Sequence, residues 1–482
     1  MNRPLPLASP GTVREGGRGG AGERPRFGRR LEAVRRFVWI AASDVFGGTP
    51  RPFATQIETP GGARKRAVME RVAAAFATTP ADAWTFASVD VPASGFVFTR
   101  SDGRTLQVRL HRKTEKAAYA DTTHFRVSYR FDGPLEERER AFLDRMIAQL
   151  RASEPALEGT DGFPHVILER VAAEVTVYPQ NNCVELRPSL ACNHHCGFCN
   201  SVDRSIDNVM QGAAELLGTI DAVAAQPVRS AVISGGEPTL LRDLPRAIEA
   251  LADRGFSVEL QTNGMALSDP EYAERLRRAG LRRALISLHS HDEALSDERI
   301  TRFPGGWRKT VAGIDAALAH GIDVHLSHVV HADNRGGLRA FLELVKTRWG
   351  RKVRVRLAFV APTGDAVENF DAQVPSLPDA LPGIREGFAF AERHRLRLVL
   401  VGYCGIPPCL LRPHESFSDV CYAPAATFPD DHVKTDACRE CVYVERCPGL
   451  WSEYFRRHGD PGLRPIRRGR HLPKLMRWWR YE

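Results

Sequence analysis

What the chain lacks narrows the field first. None of its 482 residues belongs to a run of 18 consecutive apolar positions, the length a helix needs to cross a bilayer. The longest early apolar run, "FVWIAA" near residue 40, is too short and too late for a secretory signal. The reading is a cytoplasmic protein with no membrane partner. A basic stripe is also missing from the middle of the chain. The formal charge of +9 sits at the ends: residues 1–40 carry nine Arg against three Glu, and residues 456–482 carry nine Arg or Lys against two acids, leaving the middle at about −4. No core face built for a nucleic-acid backbone is visible, and the basic tails read first as solvated. The ten cysteines do not form the regularly spaced even set of a disulfide framework. In a reducing compartment, clustered thiols read as metal ligands.

What is present is an ordinary globular composition, 43% apolar and 26% charged, over a length sufficient for two or three domains. Residues 1–60 are rich in Gly, Pro and Arg with little periodicity, so disorder is expected there. Over 61–165 the pattern predicts a small α-β-β-β-α accessory unit. "RKRAVMERVAAAFAT" and "LEERERAFLDRMIAQLRA" read as amphipathic helices, and "SGFVFTR", "TLQVRLHR" and "THFRVSYRF" as strands.

Over 171–402, apolar strands alternate with amphipathic helices. The strands fall at 183–190, 230–236, 257–264, 283–290, 321–330, 353–360 and 395–402. Strand and helix alternating at this interval mean βα units and a parallel sheet, here a partial (β/α) barrel of the TIM type. In such barrels chemistry collects at the C-terminal strand ends. Residues 403–482 form a cysteine-rich extension ending in the basic tail. The expected class is α/β.

Directly after the first barrel strand stands "ACNHHCGFCN", with Cys192, Cys196 and Cys199 in the pattern CxxxCxxC. Three thiolates can grip one face of a [4Fe–4S] cubane and leave its fourth iron open. With His194 or His195 as a fourth ligand they could instead close a structural zinc site. Cys183, alone on the strand, reads as a small buried side chain.

The triplet, with the aromatic Phe198 before its third cysteine, resembles the cluster motif of the radical S-adenosylmethionine (radical SAM) superfamily. The second strand ends in "SGGEPTL", which resembles that superfamily's GGEP motif. The resemblance runs from about Val184 to Gly364. It implies one catalytic [4Fe–4S] cluster on the three cysteines, with SAM chelating the open iron through its methionine end. It also implies SAM contacts for Phe198, for Gly235, Gly236, Glu237 and Pro238, and for Thr262 and Asn263 in "LQTNG". Ser287 and His289 in "ISLHS" would lie near the ribose. Asn263 with Gly264 also reads as a plain turn, and His289 as a satisfied polar residue. "SHVVHADN" and "VAPTGDA" resemble family sequence at strands five and six, without an assignable ligand role.

The extension carries Cys438, Cys441 and Cys447 in "DACRECVYVERC", Cys404 and Cys409 in "GYCGIPPCLL", and Cys421 in "SDVCYAP". It resembles the twitch and SPASM extensions of radical SAM enzymes, which hold auxiliary [4Fe–4S] clusters. The resemblance implies one such cluster on Cys409, Cys438, Cys441 and Cys447, with Cys404 and Cys421 as alternatives to Cys409. The full SPASM pattern wants a cysteine where this chain has Trp451. The same four cysteines would also suit a zinc knuckle, since CxxC alone does not separate zinc from iron.

The resemblance as a whole implies an enzyme that cleaves SAM reductively to a 5′-deoxyadenosyl radical, which abstracts hydrogen from substrate. An external electron donor such as flavodoxin or ferredoxin would serve it. Extensions of this kind point to a peptide or protein substrate. The alternative is RNA or a nucleotide-derived small molecule, favoured by the arginine-rich tails. A non-enzymatic metal-binding module stands third.

Overall fold

A computed structural model describes residues 51–468 apart from 53–54, 59, 75–83, 92–93, 118–119, 132–135, 153–166, 168–173, 179–181, 201–212, 404, 424 and 429–430. The described residues begin with two short strands, β1 (Arg51–Pro52) and β2 (Thr55–Ile57). Both fall in the stretch expected to be disordered. Composition there is poor in apolar residues, but the strands are completed by distant partners: β1 pairs with residues 426–427, and β2 pairs antiparallel with residues 175–177.

The accessory unit follows as α1 (Pro60–Ala74), β3 (Trp84–Asp90), β4 (Gly95–Arg100), β5 (Thr105–Ala117), β6 (Ala120–Phe131) and α2 (Glu137–Ala152). It is a four-stranded antiparallel meander, one strand more than the sequence pattern predicts. The addition is β3, "WTFASVD", whose small Ala and Ser dilute the apolar alternation. Alternation in β4 points Phe96 and Phe98 into a core of their own with Met69, Leu106, Phe142 and Met146. Phe98 meets Phe142 edge-on at 5.0 Å.

The main sheet starts with an antiparallel hairpin, β7 (Glu174–Tyr178) and β8 (Cys183–Arg187), of which β7 was not anticipated. From β8 the strands are parallel and in chain order: α3 (Ala213–Ala224), β9 (Ser230–Ile233), α4 (Leu244–Asp253), β10 (Ser257–Thr262), α5 (Pro270–Arg278), β11 (Leu281–Ser287), α6 (Gly306–Ala319), β12 (Asp323–Val330), α7 (Leu338–Arg348), β13 (Arg354–Phe359), α8 (Leu377–His394) and β14 (Leu398–Leu400). The sheet is open, with β14 at one edge, so the fold is a partial (β/α) barrel.

The face of each strand turned toward the helices is apolar: Val184 and Leu186, Ala231 and Ile233, Val258 and Leu260, Ala284 and Ile286, and Val355 and Leu357 are buried in one continuous core. The alternate face carries charge. Arg356 grips Glu259 with both terminal nitrogens, at 2.8 and 2.7 Å, and donates from Nε to His325 Nδ1 at 3.0 Å. Pairing makes this burial of charge tolerable, since either group alone would face a large desolvation cost. The extension adds β15 (Ala426–Thr427), β16 (His432–Val433), β17 (Leu450–Trp451) and α9 (Ser452–His458). Leu450, Trp451 and Tyr454 join the barrel core, and the Tyr454 hydroxyl accepts the Leu377 N–H at 2.7 Å.

Candidate metal and cofactor site

The cysteine loop leaves β8 at its C-terminal end and is shaped by backbone approach. Gly236 N–H donates to Ser189 O at 2.9 Å and Glu237 N–H to Ala191 O at 2.7 Å. A Cβ at Gly235 would lie 2.2 Å from Ser189 O, and one at Gly236 would lie 2.1 Å from Ala191 O. Gly235 also has φ +120°, where only glycine is at ease. The two glycines of "SGGEP" therefore admit the cysteine loop itself.

Glu237 ties this end to the next strand. Its carboxylate is buried and accepts from Thr239 N (3.0 Å), Thr239 Oγ1 (2.6 Å), Thr262 Oγ1 (2.6 Å) and Asn263 N (2.6 Å). Burial outweighs these four donors and pushes its pKa above the usual carboxylate range. Asn263 carries the connection back: its Nδ2 donates to Asn193 Oδ1 at 2.7 Å, between Cys192 and Cys196, and its Oδ1 accepts from Met265 N at 3.0 Å. Gly264 turns the chain there at φ +79°. Pro238 opens a short 3-10 turn beside them.

Three further segments close on the loop, and of these the sequence singled out all but the turn at Thr301. His195 N–H donates to Thr301 O at 2.8 Å, and Asp365 N–H donates to Cys199 O at 3.0 Å. Gly364, at φ +56°, packs so tightly that a Cβ would meet Asn200 O at 2.7 Å and Cys199 O at 2.8 Å. "VAPTGDA" thus has a role after all, as backbone against the third cysteine. Phe198 lies between two histidines, stacked on His331 at 4.5 Å and edge-on to His289 at 5.0 Å. His289, His328, Asp333, Asn334 and Phe341 line a cavity of about 250 Å³ behind it. Burial holds these histidines neutral, His328 down to about 3, His331 to about 4 and His289 well below its usual value. His289 Nδ1 accepts from Val329 N at 3.1 Å, while Ser287 is half-buried at the end of β11.

Cys192, Cys196 and Cys199 are not joined in disulfides and are partly exposed. His194 is buried, with Nε2 2.9 Å from Met265 Sδ, and His195 is exposed. Among the described residues no group of three or more His, Cys, Asp or Glu converges as it would around a single ion. The donor set is three soft thiols on one rigid loop, which fits an iron–sulfur cluster with one corner left for another ligand.

In the extension, Cys409, Cys438, Cys441 and Cys447 line one small cavity with Pro407, Tyr443 and Ile466. Burial raises Cys409 to about 11 and Cys447 to about 12 as free thiols. Cys421 lies outside that lining, and its thiol donates to Glu415 O at 3.2 Å. Cys404 falls outside the described residues. Trp451 is buried in β17, its ring tilted against that of His432 at 4.1 Å. Cys183 is half-buried on β8, with its thiol directed at Val184 O.

Against known proteins, the description "Radical SAM superfamily" matches residues 186–345. Residues 186–345 are a radical SAM domain. Proteins of this superfamily use a [4Fe–4S] cluster and SAM. A probable GTP 3′,8-cyclase of Saccharolobus islandicus is 33% identical over 157 residues, 32% of this chain and 49% of that protein. The chain thus spans about half the length of the curated relatives it matches. The domain also resembles the solved structure of anSMEcpe with bound AdoMet, at 15% identity and TM-score 0.36 over 44% of this chain and 61% of that one. Streptococcus suis SuiB bound to its precursor peptide SuiA gives 14% identity and TM-score 0.38 over 66% and 71%. No helix among the described residues is long and apolar enough to cross a membrane.

Proposed function

We propose that this protein is a radical SAM enzyme acting on a nucleotide-derived small molecule. The observation that carries the reading is the cysteine loop: three thiols outside any disulfide on a segment clamped by backbone from "SGGEP", Thr301 and Asp365 and by the Asn263 side chain. Cys192, Cys196 and Cys199 would hold the catalytic cluster, which when bound supplies the electron that cleaves SAM to a 5′-deoxyadenosyl radical. The chain's own work is positional. Glu237, Thr262 and Asn263 fix the second and third strand ends against the loop. Phe198 and its flanking histidines present a wall of neutral rings, without charge that would attract water. Half-buried Ser287 and Gln261 leave polar groups at the strand ends for a bound molecule.

The nucleotide reading is supported by the name of the relatives, GTP 3′,8-cyclases, at 33% identity. The peptide reading stands second. It draws on the four cysteines gathered around one cavity in the extension, the donor set of an auxiliary cluster. One experiment separates them: the anaerobically reconstituted protein with SAM, a reductant and either GTP or a candidate peptide, followed for 5′-deoxyadenosine and for change in the substrate. Substrate-dependent 5′-deoxyadenosine with GTP supports the first reading. Turnover with peptide alone reverses the order, and no 5′-deoxyadenosine under any condition overturns both.

A further inference from the structure

We infer that Arg302 is a fixed cation that eases reduction of the cluster site, an inference that rests on the proposal that Cys192, Cys196 and Cys199 hold a cluster. Arg302 stands in the turn before α6 with a left-handed backbone, φ +53°, a conformation that costs a non-glycine residue energy and needs support. The support is visible. The preceding Thr301 is pinned three times: its N–H donates to Ser296 O at 2.8 Å, its hydroxyl to the same oxygen at 3.0 Å, and its carbonyl accepts from His195 N at 2.8 Å. The last of these bonds anchors the turn to the cysteine loop itself.

The side chain then lies against the loop. The position a Cβ would take at Gly197 is 3.4 Å from Arg302 Nη2 and 3.3 Å from Gln373 Nε2. Gly197 lies between Cys196 and Cys199, so a unit positive charge stands against the segment of the loop that joins the second and third cysteines. Among the described residues Arg302 forms no ion pair, and it is exposed. Other arginines at the strand ends and turns are neutralised: Arg299 pairs with Asp333 and Arg308 with Glu293. Among the described residues no carboxylate pairs with Arg302 in the same way.

Three thiolates give the site negative charge, and one added electron makes it more negative. A nearby cation stabilises the reduced form more than the oxidised one, and net charge is among the levers on cluster potential. In surroundings close to water, one charge at this range shifts the reduced-to-oxidised ratio roughly two- to three-fold. The effect is screened by salt.

The test is a redox titration of the reconstituted full chain, with iron and sulfide counted first. At the poise that half-reduces the unaltered protein, Arg302→Gln should be clearly less reduced, Arg302→Glu less still, and Arg302→Lys close to the unaltered protein. The differences should shrink between ~50 mM and ~500 mM salt. Full iron with equal potentials in all four proteins would overturn the inference while leaving the cluster reading intact. A shift shared by Arg302→Lys and unaffected by salt would mean a conformational effect and would also overturn it. A wild-type protein that assembles no cluster on the triplet would fail at the earlier step.

Discussion

Replacing Gly236 with alanine tests how the cysteine loop is built. The added methyl carbon would sit 2.1 Å from Ala191 O, 2.4 Å from Leu190 O and 2.5 Å from Leu190 C, where real contacts below 3.0 Å are essentially never seen. All three neighbours are backbone, so no side chain can swing away. The loop must retreat by about 1 Å, which stretches the Glu237 N–Ala191 O and Gly236 N–Ser189 O bonds. Each bond is worth about 1 kcal/mol net, and a donor left unsatisfied costs about 1–3 kcal/mol. The expected loss is on the order of 2–5 kcal/mol, with Cys192 displaced one residue further on. Denaturant unfolding of the metal-free protein should show that loss, and reconstitution should give a deficit in iron and sulfide at the triplet. Gly218→Ala is the control. Gly218 lies inside α3 with nothing within 4 Å of its missing Cβ, so alanine there should stabilise by about 0.5–1 kcal/mol. An unchanged unfolding free energy and full iron in the Gly236→Ala protein would refute the account of the loop.

Alanine at Cys192, Cys196 or Cys199 should each abolish 5′-deoxyadenosine formation, and turnover retained in any one would remove the site from that loop. Iron should fall from about eight to about four per chain in the Cys438→Ala, Cys441→Ala protein; Cys421→Ser should keep both sets because its thiol lies outside the cavity. Zinc in place of the second four irons would make the extension a structural knuckle. Asp419 is half-buried, accepts Gly402 N–H at 2.7 Å, and desolvation pushes its carboxyl up to about 7. Its folded form holds a proton that the unfolded chain has released, so its contribution is present at low pH and lost as pH rises through about 7. Asp419→Asn should flatten the fall in stability between about pH 4 and pH 7, at up to about 1.4 kcal/mol per pKa unit removed, and an unaltered slope would count against it.

Much of the site was legible because it is local. "ACNHHCGFCN" and "SGGEPTL" fall at successive strand ends in chain order, and strand alternation located all seven parallel strands. What escaped reading was held by contacts distant in sequence. β2 and β7 are short and make sense only as a ladder added to the first barrel strand. Gly364, Asp365 and Thr301 touch the cysteine loop through backbone, which leaves no mark in residue type beyond one glycine at positive φ. His331 lies in "SHVVHADN", which carried no assignable ligand role in the sequence, yet it supplies the ring stacked on Phe198. The sequence did separate Cys409 from Cys421 by its "PPC" setting, and the structure places the first at the shared cavity and the second against a carbonyl.

The engagement of Glu237, Thr262 and Asn263 changes how loss-of-function variants at these positions are to be read. Resemblance gives them to SAM, yet their polar atoms bond within the protein: both Glu237 oxygens are filled, the Thr262 hydroxyl both donates and accepts, and Asn263 uses its amide, its carbonyl oxygens and its N–H. A substitution at any of them first loosens the segment between Cys192 and Cys196, since Asn193 is held by the Asn263 side chain, Asn263 N–H by the Glu237 carboxylate, and that carboxylate by the Thr262 hydroxyl. Weak SAM binding in such a variant is therefore ambiguous until iron is counted. Thr262→Val discriminates well, because it keeps the shape of the side chain and removes its two bonds within the protein, to the buried Glu237 carboxylate and from Gly264 N–H. If these residues act by shaping the loop, the variant loses iron and SAM affinity together. If they act on SAM itself, iron stays complete while affinity alone falls.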